Sequence, residues 1–196
     1  MSTTFDTSLG ALLPKQYELV HDVIVEVPPM GAYSAEVANR IDEELKAYLR
    51  INRIGRSRME MMFRMPRPDD PRRIRRPDVV FVSFDRWPED RVISYRGNPM
   101  DVIPDLCIEV ASPSDSGDEL IKKAQEYLTA GVRRVWLIYP ASQTVMTFAS
   151  LSEVQSFPAG TDLTDESLFP GLRIPVALMF PPVTDLPVLT DDPPLA

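Results

Sequence analysis

The apolar residues near the N-terminus repeat at helical spacing. Val37, Ile41, Leu45 and Leu49 stand four positions apart, which places them on one face of an α-helix. Ser34 precedes this pattern, and serine is a favoured N-cap residue. The pattern therefore predicts an amphipathic helix that is capped by Ser34 and buries one face.

A second amphipathic helix is predicted over about 119–130. Ser116 and Glu119 stand at the spacing of a capping box, and Gly131 occupies a position that commonly ends a helix. Four apolar side chains form one stripe on this helix: Leu120, Ala124, Tyr127 and Leu128. Lys123 lies at the edge of the stripe, whereas Lys122 points nearly the opposite way, toward solvent. Lys123 either extends along the helix flank as an ordinary surface lysine or reaches the neighbouring sheet edge.

The other apolar runs are short and separated by turn residues, which is typical of β-strands. An N-terminal hairpin is predicted over 17–27, with its turn at Val20-His21-Asp22. Further strands are predicted at 59–65, 79–83, 106–111, 135–139 and 145–149. The C-terminal part is less regular, with a predicted turn at 169–172 and a short helix at 177–180.

The strand 106–111 carries an ionisable residue, Glu109, in the middle of an apolar run. A lone buried charge is strongly unfavourable unless it is paired or bound to a metal. Period-two alternation places Glu109 on one face with Cys107 and Ala111, whose small side chains leave room for an ion or a water. Asp78 opens the run 79–82 and is a candidate second metal-binding acid, although Pro-Asp is also a common turn pair. Two acids on neighbouring strand ends and a lysine suggest metal-assisted phosphodiester hydrolysis.

Length and composition fit one globular domain. The chain has 196 residues and 44% hydrophobic content, and we assign the domain to 1–180 and a loose Pro/Asp-rich tail to 181–196. No run approaches the roughly 18–20 apolar residues of a membrane span. Met1–Leu13 lacks the basic start and apolar core of a signal peptide, and the single Cys107 excludes an internal disulfide. We therefore expect a cytoplasmic protein without membrane association.

The single histidine, His21, excludes several classes of chemistry. The chain has no HExxH helix, no GxSxG elbow, no GxGxxG loop and no P-loop. A Ser-His-Asp triad could use only His21, which lies in the predicted hairpin turn and is better explained as an exposed turn residue. Hydrolysis would then depend on carboxylates, lysine and a hard metal.

Charge is unevenly distributed along this acidic chain, whose net charge is -8. The segment Arg50–Arg76 carries ten arginines and three acids, whereas Leu151–Ala196 carries one arginine and seven acids. Arginines neutralise phosphates, so the segment could bind a nucleic-acid backbone, and four residues are the predicted contacts: Arg72, Arg73, Arg75 and Arg76. The alternatives are a solvated loop and a band that docks onto acidic parts of the same or a partner chain.

Three segments carry a resemblance to a known family. They are Arg-Arg-Pro-Asp-Val-Val-Phe-Val (75–82), Pro-Asp-Leu-Cys-Ile-Glu-Val-Ala-Ser-Pro-Ser (104–114) and Ala-Gly-Val-Arg-Arg-Val-Trp-Leu-Ile (130–138). With the lysine-bearing helix, they resemble the bacterial Uma-type endonucleases of the PD-(D/E)XK restriction-endonuclease-like superfamily, and a looser similarity extends from about Tyr17 to Phe180. The resemblance implies an α/β fold with a restriction-endonuclease-like core, a mixed β-sheet flanked by helices, and an N-terminal β-hairpin.

The resemblance also implies a function: metal-dependent hydrolysis of phosphodiester bonds in DNA, with Mg²⁺ or Mn²⁺ as the ion. Asp78 and Glu109 would be catalytic acids that bind the metal, and the backbone carbonyl of Val110 would be a further ligand. The superfamily's usual lysine follows the second acid by two positions, where this chain has Ala111. Its place would be taken by Lys123 on the following helix.

Glu36 is a candidate third acid, the alternative being a surface or cap-turn glutamate. The resemblance further implies DNA as the partner and a homodimer as the assembly. Two alternatives to the endonuclease keep the same fold. A catalytically inactive nucleic-acid-binding module predicts salt-sensitive binding that needs neither Asp78 nor Glu109. A protein-interaction module predicts no DNA binding and dissociation of a dimer at high salt.

Overall fold

A six-stranded mixed β-sheet forms the centre of the protein. The computed structural model describes residues 16–91 and 99–182, and the predicted tail lies outside the described residues from position 183 onward. The strand order is β10-β9-β8-β7-β6-β3. The strands are β3 (Gly55–Met59), β6 (Val79–Ser83), β7 (Leu106–Val110), β8 (Arg134–Tyr139), β9 (Thr144–Phe148) and β10 (Val154–Pro158). Only the pair β7 and β8 is parallel among these neighbours.

Two α-helices lie on opposite faces of this sheet. α1 spans Ala32–Ile51 and packs with the face that contains Phe81 and Ile108. α2 spans Gly117–Thr129, packs with the opposite face, and connects the parallel strands β7 and β8. The expected α/β architecture with a mixed sheet flanked by helices is confirmed.

The capping prediction is confirmed for α2 and is wrong for α1. The capping box of α2 is present, since Glu119 N–H donates to Ser116 Oγ at 3.2 Å and Ser116 N–H donates to Glu119 Oε2 at 3.1 Å. The predicted cap at Ser34 is wrong, because the N-cap of α1 is Gly31, three residues earlier. Ser34 is instead buried within the first turns of the helix.

A smaller sheet, ordered β2-β1-β5-β4, contains the predicted N-terminal hairpin. Its strands are β1 (Tyr17–Val20), β2 (Val23–Glu26), β4 (Phe63–Arg64) and β5 (Ile74–Arg75). The hairpin turn lies at His21 and Asp22, which both have positive φ values, of 49° and 63°. The His21 side chain is exposed, as expected for a turn residue.

Three predicted elements differ from the structure. The strand predicted at 59–65 is divided between β3 and β4, because the chain turns at Glu60, whose φ is 50°. The turn predicted at 169–172 is instead part of β12 (Phe169–Pro175), which pairs with β11 (Asp162–Asp165). The predicted short helix is a 3₁₀-helix at Val176–Met179. Among the described residues, neither α-helix is long and apolar enough to cross a membrane.

Candidate active site

The antiparallel pairing of β6 and β7 brings Asp78 and Glu109 together. Val79 lies opposite Ile108 in this ladder, so the register extended by one residue places Asp78 opposite Glu109. The backbone N–H of Val110 donates to Asp78 Oδ2 at 2.7 Å. The two acids that were singled out in separate sequence segments therefore meet at one end of the central sheet.

Two side chains of α2 hold the Glu109 carboxylate. Lys123 Nζ donates to Glu109 Oε2 at 2.9 Å, and the Tyr127 hydroxyl donates to Glu109 Oε1 at 2.5 Å. Lys123 and Tyr127 are four residues apart and so lie on one face of the helix. Glu109 is buried, while Lys122 is exposed, as the helical phase predicted. The sequence analysis placed Tyr127 only in the apolar stripe and missed its hydrogen bond.

The charges at this site are not balanced. Burial and the charge of Glu109 raise the pKa of Asp78 to about 8, well above its ordinary value of 3.8. The charge of Glu109 raises the pKa of Lys123, which stays protonated. Burial raises the pKa of the Tyr127 hydroxyl well above its ordinary range, so this group remains a hydrogen-bond donor. One lysine cation is too little to keep both acids ionised, so a second positive charge beside Asp78 would favour loss of the Asp78 proton and would be stabilised there.

The donor atoms fit a hard divalent cation. The carboxylates of Asp78 and Glu109 supply oxygen ligands, which suit Mg²⁺ or Mn²⁺ better than softer metals. Within residues 16–91 and 99–182, no group of three or more His, Cys, Asp or Glu side chains is placed to hold a metal. Mg²⁺ commonly keeps several water ligands and uses one or two protein carboxylates, so a pair of acids is compatible with this ion.

The structure does not bring Glu36 to these acids. Glu36 Oε1 accepts from Arg40 Nε at 2.9 Å in an ion pair along the exposed side of α1. The predicted third acid is therefore corrected to a surface glutamate. The acid that lies near Asp78 is Glu60, whose backbone N–H donates to the Asp78 carbonyl oxygen at 3.0 Å and whose charge helps to raise the Asp78 pKa.

Glu60 and Arg76 lie beside Asp78 around a small cavity of about 30 Å³. Arg76 Nε donates to the Glu60 carbonyl oxygen at 2.8 Å, and Arg76 Nη2 lies 3.1 Å from Glu60 Oε2. Glu60 is a non-glycine residue with φ of 50°, a backbone conformation that is common at functional sites. No local signal in the sequence marks Glu60, because its position depends on the turn between β3 and β4.

Two of the four predicted DNA-binding arginines are buried in ion pairs. Arg73 Nη1 lies 2.5 Å from Glu126 Oε2, and Arg73 also pairs with Asp70. Arg75 bridges Glu18 and Glu126. These contacts correct the prediction for Arg73 and Arg75, because side chains buried against carboxylates cannot reach a DNA backbone.

The other two predicted arginines keep some exposure. Arg72 pairs with Asp22 at 2.6 Å on the surface, and Arg76 pairs with Glu60 beside Asp78. Much of the positive charge counted in the sequence is thus neutralised by acids of the same chain. This outcome matches one alternative from the sequence, a band that docks onto acidic parts of the same chain.

The mixed sheet and its two flanking helices define a restriction-endonuclease-like α/β fold. The sequence model of the Uma2 family, described as "Putative restriction endonuclease", matches residues 11–177, and the chain belongs to this family. The predicted family and fold are confirmed.

A solved structure shows the same fold. It is described as "a putative nuclease belonging to DUF820 from Anabaena variabilis", and it superposes with a TM-score of 0.70. The two sequences are 23% identical, and the similarity covers 90% of this chain and 98% of that one. None of the curated proteins matches the chain.

Proposed function

We propose that this protein is a metal-dependent endonuclease that hydrolyses phosphodiester bonds in DNA. The observation that carries the proposal is the convergence of Asp78, Glu109 and Lys123 at one end of the central sheet. Membership of a family described as "Putative restriction endonuclease" supports the same reaction class. Phosphodiester hydrolysis adds a water oxygen to phosphorus and releases an alcohol oxygen, so it requires an oriented water and stabilisation of negative charge.

Asp78, Glu109 and the backbone carbonyl of Val110 would hold Mg²⁺ or Mn²⁺. When bound, such an ion lowers the pKa of a water and neutralises charge on the scissile phosphate. The raised pKa of Asp78 supports this assignment, because a buried carboxylate beside a second carboxylate gains most from a nearby cation.

Lys123 has two functions in this proposal. One of its N–H groups donates to Glu109 Oε2 and fixes that carboxylate, which leaves two donors for a water or a phosphate oxygen. Its side chain is one-third exposed, so a substrate can reach it. Tyr127 is a positioning residue, because its hydroxyl donates to the Glu109 carboxylate oxygen. Hydrogen bonds from Lys123 and Tyr127, one to each carboxylate oxygen, therefore fix the orientation of Glu109.

Arg76 is the arginine of the predicted set best placed to meet DNA at this site. It lies beside Asp78, and because its partner Glu60 is exposed, Arg76 can exchange the Glu60 carboxylate for a phosphate. Arg72 would contact the backbone farther away, on the surface near the hairpin turn. A homodimer would allow two such sites to cut both strands.

Cleavage of supercoiled plasmid with Mg²⁺ or Mn²⁺ tests the proposal. We expect wild-type protein to nick or linearise the plasmid only when metal is present. Glu109→Gln and Lys123→Met should each reduce the rate at least about 100-fold, as is typical when a charge-stabilising group is removed. The rate is measured from the loss of the supercoiled band.

Lys122→Met is the matched control for Lys123→Met. Lys122 is the preceding residue on α2, is exposed, and should leave the cleavage rate unchanged. Cleavage by Lys123→Met at the wild-type rate would refute the role of this lysine. Metal-independent cleavage, or no cleavage by wild-type protein with either metal, would refute the proposed function.

A further inference from the structure

A second basic feature lies outside the Asp78–Glu109 site, in a groove between the end of α1 and the outer edge of β3. The groove has a volume of about 260 Å³. Seven residues line it: Lys46, Leu49, Arg50, Gly55, Arg56, Ser57 and Arg58. Four of the seven are cationic and none is acidic. We call this feature the β3 groove.

The arginines of the β3 groove have no carboxylate partners among the described residues. Arg56 donates to the carbonyl oxygens of Pro88 and Glu89, and Arg58 donates to the carbonyl oxygen of Ser57. Arg50 is exposed and forms no ion pair within the described part of the chain. This differs from the buried arginines near α2, whose charges are neutralised by acids.

The acid Asp42 lies beneath the groove and already has partners. Asp42 is fully buried, accepts from Ser57 Oγ, and pairs with Lys46. Its charge is therefore shared with Lys46 and cannot neutralise the three arginines. The groove carries an excess of positive charge that an external anion can neutralise.

Aromatic rings hold two of these cations in place. The Arg56 guanidinium lies 5.1 Å from the Phe84 ring centroid and 4.7 Å from that of Trp87, and Arg58 lies 5.9 Å from the Trp87 ring. Trp87 is fully buried, so this support is rigid. Burial and the adjacent charge of Arg56 lower the pKa of Arg58, and the charge of Asp42 offsets this lowering only in part.

The strand that lines the β3 groove runs toward the candidate active site. β3 is an edge strand, and its last residue, Met59, pairs with Val79, the residue after Asp78. Arg56 and Arg58 are two residues apart on this strand, a spacing of about 6.8 Å. Phosphates on one strand of B-DNA follow one another about every 3.4 Å along the helix axis, so each arginine can meet a phosphate of the same strand. A linear polyanion bound at β3 would therefore be directed toward Asp78.

We propose that the β3 groove binds the phosphate backbone of the polynucleotide that is cleaved at the Asp78–Glu109 site. This inference rests on the proposed endonuclease function and adds a substrate-binding surface to it. Inorganic phosphate and a mononucleotide carry the same kind of anionic group as a polynucleotide and are the alternative ligands of the groove. The polynucleotide is favoured because the groove offers several cations in a line along one strand.

The test measures binding of a fluorescently labelled 20-base-pair DNA duplex by anisotropy, with EDTA present so that cleavage does not contribute. The double variant Arg56→Gln/Arg58→Gln should bind at least about ten-fold more weakly than wild type. The slope of log affinity against log salt concentration should be shallower than that of wild type by about two, which is about one for each lost phosphate contact. Arg50→Glu gives an independent test, because Arg50 lines the groove, is exposed and supports neither ring.

The matched control is Arg53→Gln/Lys122→Gln. Both side chains are exposed and lie outside the groove lining, and Arg53 is paired with Glu89, so their loss should change the affinity and the salt slope much less. Circular dichroism and the Tm show that each variant is folded. If Arg56→Gln/Arg58→Gln does not fold, Arg50→Glu decides the question by its own loss of affinity.

Four results would distinguish the outcomes. Affinity unchanged in folded groove variants would overturn the inference, and would leave the endonuclease standing if wild type still cleaves plasmid. An equal loss in the control variant would also overturn it, since binding would then follow total charge. If inorganic phosphate displaces the duplex at a concentration equal to that of the duplex phosphates, the inference is overturned, and the groove is a site for small anions. Loss of affinity confined to the groove variants supports the groove as a surface that binds the phosphate backbone, and plasmid cleavage by wild type tests the endonuclease function separately.

Discussion

Asp78→Asn should remove most of the pH dependence of stability in the metal-free protein between pH 5 and pH 8. The folded state holds a proton on Asp78 up to a pKa of about 8, whereas the ordinary value is 3.8. Between these two values the folded state binds more protons than the unfolded state. Stability is therefore greatest below the unfolded pKa and is lost as the pH rises toward the folded pKa.

The magnitude follows from the two pKa values. Linkage between pH 5 and pH 8 gives a loss of about 3.5 kcal/mol in the free energy of unfolding. Asp78 is partly exposed, and solvent screening reduces this to about 2–3 kcal/mol. Asparagine keeps the shape and the carbonyl acceptor for the Val110 N–H but cannot ionise. The variant should accordingly be as stable as wild type at pH 5 and more stable at pH 8.

Urea denaturation followed by circular dichroism in EDTA measures the effect at the two pH values. Asp85→Asn is the matched control, because Asp85 is exposed and its replacement should leave the loss of stability between pH 5 and pH 8 as in wild type. The reasoning is refuted if wild type and Asp78→Asn lose the same stability between pH 5 and pH 8. It is also refuted if the wild-type protein is more stable at pH 8.

Two further predictions concern buried side chains that belong to α2 or contact it. Tyr127→Phe removes only the hydroxyl that donates to Glu109 Oε1. It should lower the free energy of unfolding, measured by urea denaturation, by about 1.5–3 kcal/mol. A loss below about 0.5 kcal/mol would contradict a hydrogen bond to a charged group. Arg75→Met removes the cation shared by two buried carboxylates and should cost about 3–5 kcal/mol, measured in the same way. Arg72→Met, which breaks only an exposed pair, should change stability by less than about 1 kcal/mol, and an equal loss in both variants would count against the buried network.

Part of the site could be predicted from the sequence because its geometry is local. Strand alternation places Glu109 on one face of β7, and helical phase places Lys123 and Tyr127 on one face of α2. The crossover helix packs on the face of the sheet to which Glu109 points. A lysine at that helical position can therefore reach Glu109, and the structure places the two in contact at 2.9 Å.

Other features could not be predicted because they depend on residues far apart in the chain. β3 reads as Gly-Arg-Ser-Arg-Met, which has no apolar alternation, and it becomes a strand through its ladder with β6. β12 contains a Pro-Gly pair that is typical of a turn, yet its pairing with β11 keeps it extended. In both cases tertiary hydrogen bonding overrides the local propensity.

The sequence by itself determined the long helices, the apolar strands and the acids and lysine of the candidate site, since each follows from local periodicity or local geometry. Only the tertiary structure decided which charges are free. Arg75 meets Glu18 and Glu126, which are 57 and 51 residues away, whereas Arg56 and Arg58 form no ion pair with a carboxylate of residues 16–91 and 99–182. Ion pairs depend on distances in space, so a count of arginines along the chain could not separate the buried, neutralised side chains from those that remain available to a phosphate.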